Sequence, residues 1–271
     1  MSGHDTRFAL LQRSLEIPEV ARLKRAFRSL PGLTESDAHT LANDAFGILV
    51  KDLSPTDAIT LQGALQSEGV ETAVVLQSDL PQLPPIKFVQ QMDCLPEALI
   101  VHDPIGRQFP VPWNQVMLVA AGSVRLTVFE QQKLAPARSP FQAEAAGWAP
   151  FHPGLRGAIQ PAPEYVTRER LASKLLLELL LAGAVMQFQI EAERFRYHYL
   201  GERKRPELAD NFALLVQDVM TFAPQAAVNR GAYFLREKAG AVFEYPSKNA
   251  FYEEMTWTLW QMTNAPSPPG V

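Results

Sequence analysis

Between residues 7 and 76 the hydrophobic period of the chain changes several times, and each change marks an element. Residues 7 to 13 (RFALLQR) are a short apolar run between arginines and predict a strand. Residues 17 to 29 (IPEVARLKRAFRS) place Val20, Leu23 and Phe27 on one helical face, which Leu30 extends, with Pro18 near the first turn, where a missing N–H costs little. Pro31-Gly32 ends that helix. Thr34 with Asp37 three residues on has capping-box spacing and opens a second helix through Leu41, after which residues 46 to 53 (FGILVKDL) read as a strand. Ser54-Pro55-Thr56-Asp57 combines a side-chain cap, a first-position proline and a carboxylate at the positive end of the helix dipole. A third helix starts there, with Ala58, Leu61 and Leu65 inward. Gly69 closes it, and residues 70 to 76 (VETAVVL) form the next strand.

Three prolines between Ser78 and Pro85 favour extended backbone and mark a linker over 79–85. Short β-prone runs follow at 87–92, 98–102, 108–111, 116–121 and 124–129, separated by turn signals such as Asp103-Pro104, and predict an antiparallel meander. A Pro/Ala/Gly-rich stretch over 131–164 predicts a surface insertion. Strands are expected again at 174–181, 185–190 and 194–200. A helix follows over 207–222, with Phe212, Leu215, Val219 and Phe222 on one stripe, and further helices at 225–238 and 248–262. The expected fold class is α+β: a β-α-α-β-α-β domain over 1–78, a β domain over 86–223 built as an antiparallel barrel or bent sheet, and a C-terminal helical extension over 224–271.

With 271 residues, 47% of them apolar, the chain can bury a sizeable core. Its 25 basic and 29 acidic side chains leave a net charge of −4, which argues against a dedicated nucleic-acid binder and confines any such contact to a local patch. Cys94 is the single cysteine, so no internal disulfide forms, and a reducing cytoplasm is the expected compartment. No signal-peptide core is seen near Arg7 and Arg13, and the most apolar stretch, Leu171 to Met186, is interrupted by Lys174 and Glu178, so no membrane insertion is expected.

The run GLTESDAHTLANDAFGILVKDLSPTDAITLQGALQSEGVETAVV has Gly32-Leu33 before the second helix, Ile48-Leu49-Val50 in a strand, Ser54 to Asp57 as a cap and Gly69-Val70 at a helix end. With these features, residues 7 to 76 resemble the C-terminal domain of the bacterial ribosomal stalk protein. The resemblance implies that family's fold. In the family the first two helices dock translation GTPases through lysines, arginines and exposed aliphatic residues. Arg22, Lys24, Arg25 and Arg28 fall on the corresponding first helix and are the partner-binding residues the resemblance implies. A long segment without likeness to that family follows, so the resemblance bears on the fold rather than on a ribosomal role. The segment LIVHDPIGRQFPVPWNQVMLVAAG is similar, through Val111-Pro112-Trp113 and Val116 to Val119, to bacterial pleckstrin-homology-like barrels. It implies a small barrel with a helix plugging one end.

Candidate chemistry is sparse. The sequence has no phosphate loop, no dinucleotide fingerprint, no nucleophile elbow and no paired CxxC, and His4, His39, His102, His152 and His198 stand singly. Asp93, Cys94, His102 and Asp103 are the densest metal-capable group, on adjacent predicted strands. A closed zinc site wants four ligands at other spacing, and Cys94 reads better as a small core hydrophobe, so no metal and no cofactor is expected. Residues 191 to 205 (EAERFRYHYLGERKR) interleave Phe195, Tyr197 and Tyr199 with basic residues, a combination that nucleic-acid or phosphate binding uses. A period of two instead puts the aromatics on one face and Arg194, Arg196 and His198 on the other, the pattern of a half-buried strand, which leaves Arg203, Lys204 and Arg205 as a basic cluster. Tyr252, Trp257 and Trp260 on the last helix are expected to cover the protein's own core. The function expected is a non-enzymatic binding or adaptor protein with a protein partner, using the first-helix cations and Arg203 to Arg205, with homo-oligomerisation left open. The alternatives are an enzyme with a dispersed site around His102, Asp103 and Arg107 or around His152, and a translation- or RNA-associated factor.

Overall fold

The computed structural model describes residues 6–16, 18–44, 46–133, 165–183, 186–237 and 242–264. The chain divides into two units, Met1–Arg125 with Ser173–Val271, and Leu126–Ala172. The second unit holds the later part of one long strand and the earlier part of the next, and the insertion expected over 131–164 lies, beyond residue 133, outside the described residues.

The first six elements follow the expected order: β1 (Phe8–Gln12), α1 (Val20–Phe27), α2 (Glu35–Asp44), β2 (Ile48–Leu53), α3 (Pro55–Ser67) and β3 (Thr72–Leu76). Strand β1 lies between β2 and β3 and is antiparallel to both. The helix starts use the caps legible in the sequence. The Thr34 hydroxyl accepts from the Asp37 amide at 3.2 Å while the Asp37 carboxylate accepts from the Thr34 amide at 2.6 Å, and the Ser54 hydroxyl accepts from the Asp57 amide at 3.2 Å. On one face of the sheet Leu10, Leu49 and Leu53 pack against Leu23, Phe27, Leu61 and Leu65 of the helices.

The other face of this sheet is not left to solvent. Ala9, Leu11, Ile48 and Ala73 are covered by Trp260 and Trp257, both from a C-terminal helix spanning Lys248–Asn264. Trp257 Nε1 donates to the Gln12 carbonyl at 2.7 Å, and Gln261 Nε2 to the Arg13 carbonyl at 3.2 Å. The last helix therefore does cover the protein's own core, and β1 is buried on both sides, which explains why its FALLQ run shows no alternation. Gly47 makes room for this docking: a Cβ there would stand 2.2 Å from the Trp257 ring.

The remaining strands are β4 (Ile86–Phe88), β5 (Met92–Cys94), β6 (Ala98–His102), β7 (Gln108–Pro112), β8 (Val116–Lys133), β9 (Tyr165–Leu181), β10 (Gln187–Glu191), β11 (Ala227–Val228) and β12 (Glu244–Tyr245). The further helices among the described residues are α4 (Leu208–Phe222), α5 (Arg230–Glu237) and α6 (Lys248–Asn264). The antiparallel meander is confined to β5-β6-β7. A six-stranded sheet, ordered β11-β8-β9-β10-β4 with β12 also on β8, mixes an antiparallel β9-β10 pair with parallel β4-β10, β8-β11 and β8-β12 pairs. One core joins both sheets to α4 through Leu99, Val101, Leu177, Ile190, Phe212, Leu215 and Val219, and Trp113 stacks on Phe222 at 5.3 Å. The class is α+β.

Five expected elements take other forms, the first being the strand predicted over 87–92, whose two ends fall in β4 and β5 of separate sheets. The two strands predicted at 116–121 and 124–129 are the single β8, because Gly122 serves close approach rather than a turn: its Cβ position is 2.6 Å from the Tyr245 ring. The strand predicted over 194–200 is replaced by 3₁₀ turns at Ala192–Arg194 and His198–Arg203, the latter crossing Gly201 at φ 52°, ψ −123°. Its alternation of burial survives without a ladder, with Phe195 and Tyr197 inward and Arg196 and His198 outward. The helix predicted from residue 225 begins at Arg230, since residues 227 and 228 pair with β8 and Asn229 caps the helix, its Oδ1 accepting from the Ala232 amide at 2.9 Å.

Candidate functional site

The cations of α1 and of its C-cap, Arg28, each have an acidic neighbour. Arg25 makes a bidentate pair with Glu68 at 2.6 and 2.9 Å, Arg22 lies 3.5 Å from Glu19 and donates to the Glu68 carbonyl, and Lys24 and Arg28 both reach Glu35, at 3.2 and 3.4 Å. Arg22, Arg25 and Arg28 are exposed, whereas Lys24 is half-buried. The Arg25 guanidinium holds the Glu68 carboxyl below the usual carboxylate range, and Lys24 does the same for Glu35. The basic stripe legible in the sequence is thus part of a mixed-charge surface, because Glu35 and Glu68 come from other elements.

The cluster Arg203, Lys204 and Arg205 splits in the same way. Arg203 is spent on Asp218 of α4, at 2.7 and 3.0 Å, and Asp218 also accepts from the Tyr199 hydroxyl at 3.0 Å. The Arg205 main chain is clamped by the buried Asn211 amide through two bonds of 2.7 Å, while its side chain and Lys204 are exposed.

Strand alternation separates Cys94 from His102. Cys94 pairs with Leu99 on the core face of the three-stranded sheet, whereas His102 and Asp93 share the opposite face, with His102 Nε2 2.7 Å from Asp93 Oδ2. Burial, with the charge of Asp218 as a smaller contribution, pushes the Cys94 thiol up to about 12, which keeps it protonated and unreactive at neutral pH. Asp103 is engaged in its own turn, accepting from the Ile105 and Arg107 amides at 3.0 and 2.8 Å and from Arg107 Nε at 2.6 Å. The His102 and Asp93 pair has the geometry of a base with its orienting carboxylate, but Cys94, the nearest nucleophile by sequence, points to the other side of the sheet. Among the described residues no group of three or more His, Cys, Asp or Glu is placed to hold a metal ion, and no helix is long and apolar enough to cross a membrane. His152 lies outside the described residues.

Two features were missed in the sequence. The first is a surface at the β6-β7 turn. Ile105 is 76% exposed and Phe109 41% exposed, and the Phe109 ring is flanked by Lys87 Nζ at 5.2 Å and the Arg107 guanidinium at 5.8 Å. Strand β7 is an edge strand whose Pro110 and Pro112 lack N–H donors, so the exposed edge cannot accept a full added strand and any recognition there runs through side chains. The second is a buried polar cluster: Glu178 on β9, wholly buried, accepts hydrogen bonds from Gln189 Nε2 and, at 2.9 Å, from the Tyr252 hydroxyl of α6, while its Oε2 is unpartnered. The alternation of β9 and β10 would have shown that Glu178 and Gln189 can pair, but not that α6 covers them.

No family model, curated protein or solved structure matches this chain.

Proposed function

We propose that this is a non-enzymatic binding or adaptor protein that holds a protein partner through side-chain contacts at the β6-β7 turn and along the outer face of α1. The observation that carries the reading is the exposed Phe109 ring flanked by Lys87 and Arg107, with Ile105 exposed in the turn before it, in a chain of net charge −4. Isolated exposed apolar residues are ordinary, but an exposed aromatic ring between two cations fits a partner that offers apolar and acidic groups together. On α1, Arg22, Arg25 and Arg28 supply a second, more exchangeable surface, because exposed ion pairs with Glu19, Glu35 and Glu68 cost little to swap for pairs with a partner. A location in the cytoplasm belongs to the same proposal.

The test is chemical cross-linking and co-purification from the native host. Ile105→Asp with Phe109→Asp is expected to remove the principal partner while leaving the thermal midpoint nearly unchanged, and Arg25→Glu with Arg28→Glu is expected to weaken the association and its dependence on salt. Retention of every partner by both double variants would overturn the proposal.

A further inference from the structure

The β2-β1-β3 sheet has two outer edges, and the chain treats them differently. The β2 edge carries Lys51 and Asp52, with Asp52 at φ 60° and shifts of register against β1, the charge and irregularity that blunt an edge. Strand β3 (TAVVL) has no charge and no proline, and it pairs with β1 in one register over all five residues. Bonds from the Arg13 amide to the Glu71 carbonyl and from the Gln77 amide to the Arg7 carbonyl fix the phase of that ladder. Ala73 and Val75 bond to β1, so Thr72, Val74 and Leu76 turn their main-chain groups outward. The Thr72 carbonyl accepts from Gln62 Nε2 of α3 at 3.1 Å, whereas neither the N–H nor the C=O of half-buried Val74 has a hydrogen-bond partner among the described residues. The outer side of α3 is uncharged as well. Because the turn over 68–71 reverses the chain, Ile59, one turn before Gln62 on the same helix face, runs beside the edge toward Val74. Ile59 is 67% exposed, and the other exposed side chains of α3, Pro55, Thr56, Thr60, Gln66 and Ser67, carry no charge in a chain that is 20% charged. The one charged side chain of α3, Asp57, is half-buried and engaged with the Ser54 cap.

We infer that the β3 edge and the outer side of α3 form an interface between two copies of this chain, joined antiparallel about Val74 into one continuous six-stranded sheet. The edge is self-complementary. A two-fold axis at Val74 sets Val74 against Val74 and Thr72 against Leu76, so the residues whose main-chain groups face outward meet as hydrogen-bonded pairs. Glu71 falls opposite Gln77 of the second copy, so no like charges face each other at the ends. The same axis lays α3 against α3 with Ile59 close to the axis. Since α3 sits over β1 and β3, the strand spacing puts the two helix axes about 10 Å apart, an ordinary helix-packing distance. A single extended peptide would occupy the edge but leave Ile59 and the uncharged side of α3 bare, whereas a second copy covers both, and depletion of charge marks the core of such interfaces. One strand and one helix about 20 Å long lie at the small end of stable interfaces, which implies a dimer of micromolar affinity. The interface stands apart from the proposed partner-binding turn and does not depend on it.

The experiment is sedimentation velocity of the full chain over about 1–200 μM, where a monomer–dimer equilibrium with a dissociation constant of about 1–100 μM is expected. Val74→Pro removes an outward N–H that bonds nothing within the chain, and Ile59→Glu brings two carboxylates together at the axis. Each should weaken dimerisation about tenfold or more. Ile59→Glu should leave the thermal midpoint at low concentration in place, because the side chain is exposed. An equimolar mixture of Ile59→Glu and Ile59→Lys should restore the dimer, the signature of one residue meeting its own copy across a two-fold axis. A chain that is monomeric throughout the range, an unchanged dissociation constant in either single variant, or a mixture no tighter than its components overturns the inference.

Discussion

Replacing Gly231 with alanine is expected to destabilise the protein by at least about 3 kcal/mol, the upper part of the range for over-packing, because nothing around the new methyl group can yield cheaply. Its Cβ would lie 1.8 Å from the Ala121 carbonyl oxygen, a main-chain atom in the interior of β8, and 3.2 Å from the Tyr245 ring. Moving α5 away would break the bonds that seat it. Asn229 mimics a strand neighbour of Ala121, its Oδ1 accepting from the Ala121 amide at 2.9 Å and its Nδ2 donating to the Ala121 carbonyl at 3.1 Å, and Nδ2 also donates to the Tyr245 hydroxyl at 2.8 Å. Next to it, the wholly buried Glu254 accepts from the Arg230 amide at 2.6 Å, and the Arg230 guanidinium stacks 4.4 Å over Phe46. The control is Gly63→Ala in α3, where a Cβ meets nothing within 4 Å and the helix should gain about 0.5–1 kcal/mol. Urea unfolding of both variants checks the pair, and near-equal midpoints would refute the close packing of α5 on β8.

The second large effect concerns pH. Glu178 is pushed up to about 7 by burial, against the smaller opposing pull of its hydrogen bonds from Gln189 and Tyr252 and of the Lys248 charge. The unfolded chain loses this proton near the ordinary glutamate value of 4.5 while the folded chain keeps it until about 7. The folded state therefore binds more protons in that window, and stability falls as pH rises through it. The contribution is fully present below about pH 4.5 and lost above about pH 7, a difference of about 3 kcal/mol from the size of the shift. Surface carboxylates such as Glu35 and the half-buried Glu68, held low by their cations, push stability the opposite way at lower pH, so the informative quantity is the difference between the parent and Glu178→Gln. That difference should move in favour of the glutamine variant between pH 5 and pH 8. A flat difference would mean that the buried carboxyl is already ionised and compensated.

The outcome for the candidate residues follows from what sequence spacing can and cannot report. The face of α1 that carries Arg22, Arg25 and Arg28 was legible, since helical period and burial of Leu23 and Phe27 together define which side is outward. Their neutralisation was not, because Glu68 is 43 residues from Arg25 and meets it only once α3 packs against α1. Cys94 and His102 illustrate the reverse case. Proximity along adjacent strands suggested a shared site, but with registers Asp93↔Ile100 and Cys94↔Leu99 the pleat sends them to opposite faces.

By itself the sequence determined the elements whose signals are local: the capped starts of α2 and α3, the stop at Gly69, the amphipathic faces of α1 and α4, and the β6-β7 hairpin. Each depends on interactions within a few residues, so spacing alone suffices. Tertiary structure alone decided what covers the second face of the β2-β1-β3 sheet, why Gly122, Gly47 and Gly231 are glycines, and why an ionisable Glu178 lies under α6. These depend on pairs such as Gln12 with Trp257, 245 residues apart, and Glu178 with Tyr252, 74 apart. Burial and dielectric surroundings are properties of the packed whole, and no local period encodes which distant helix supplies them.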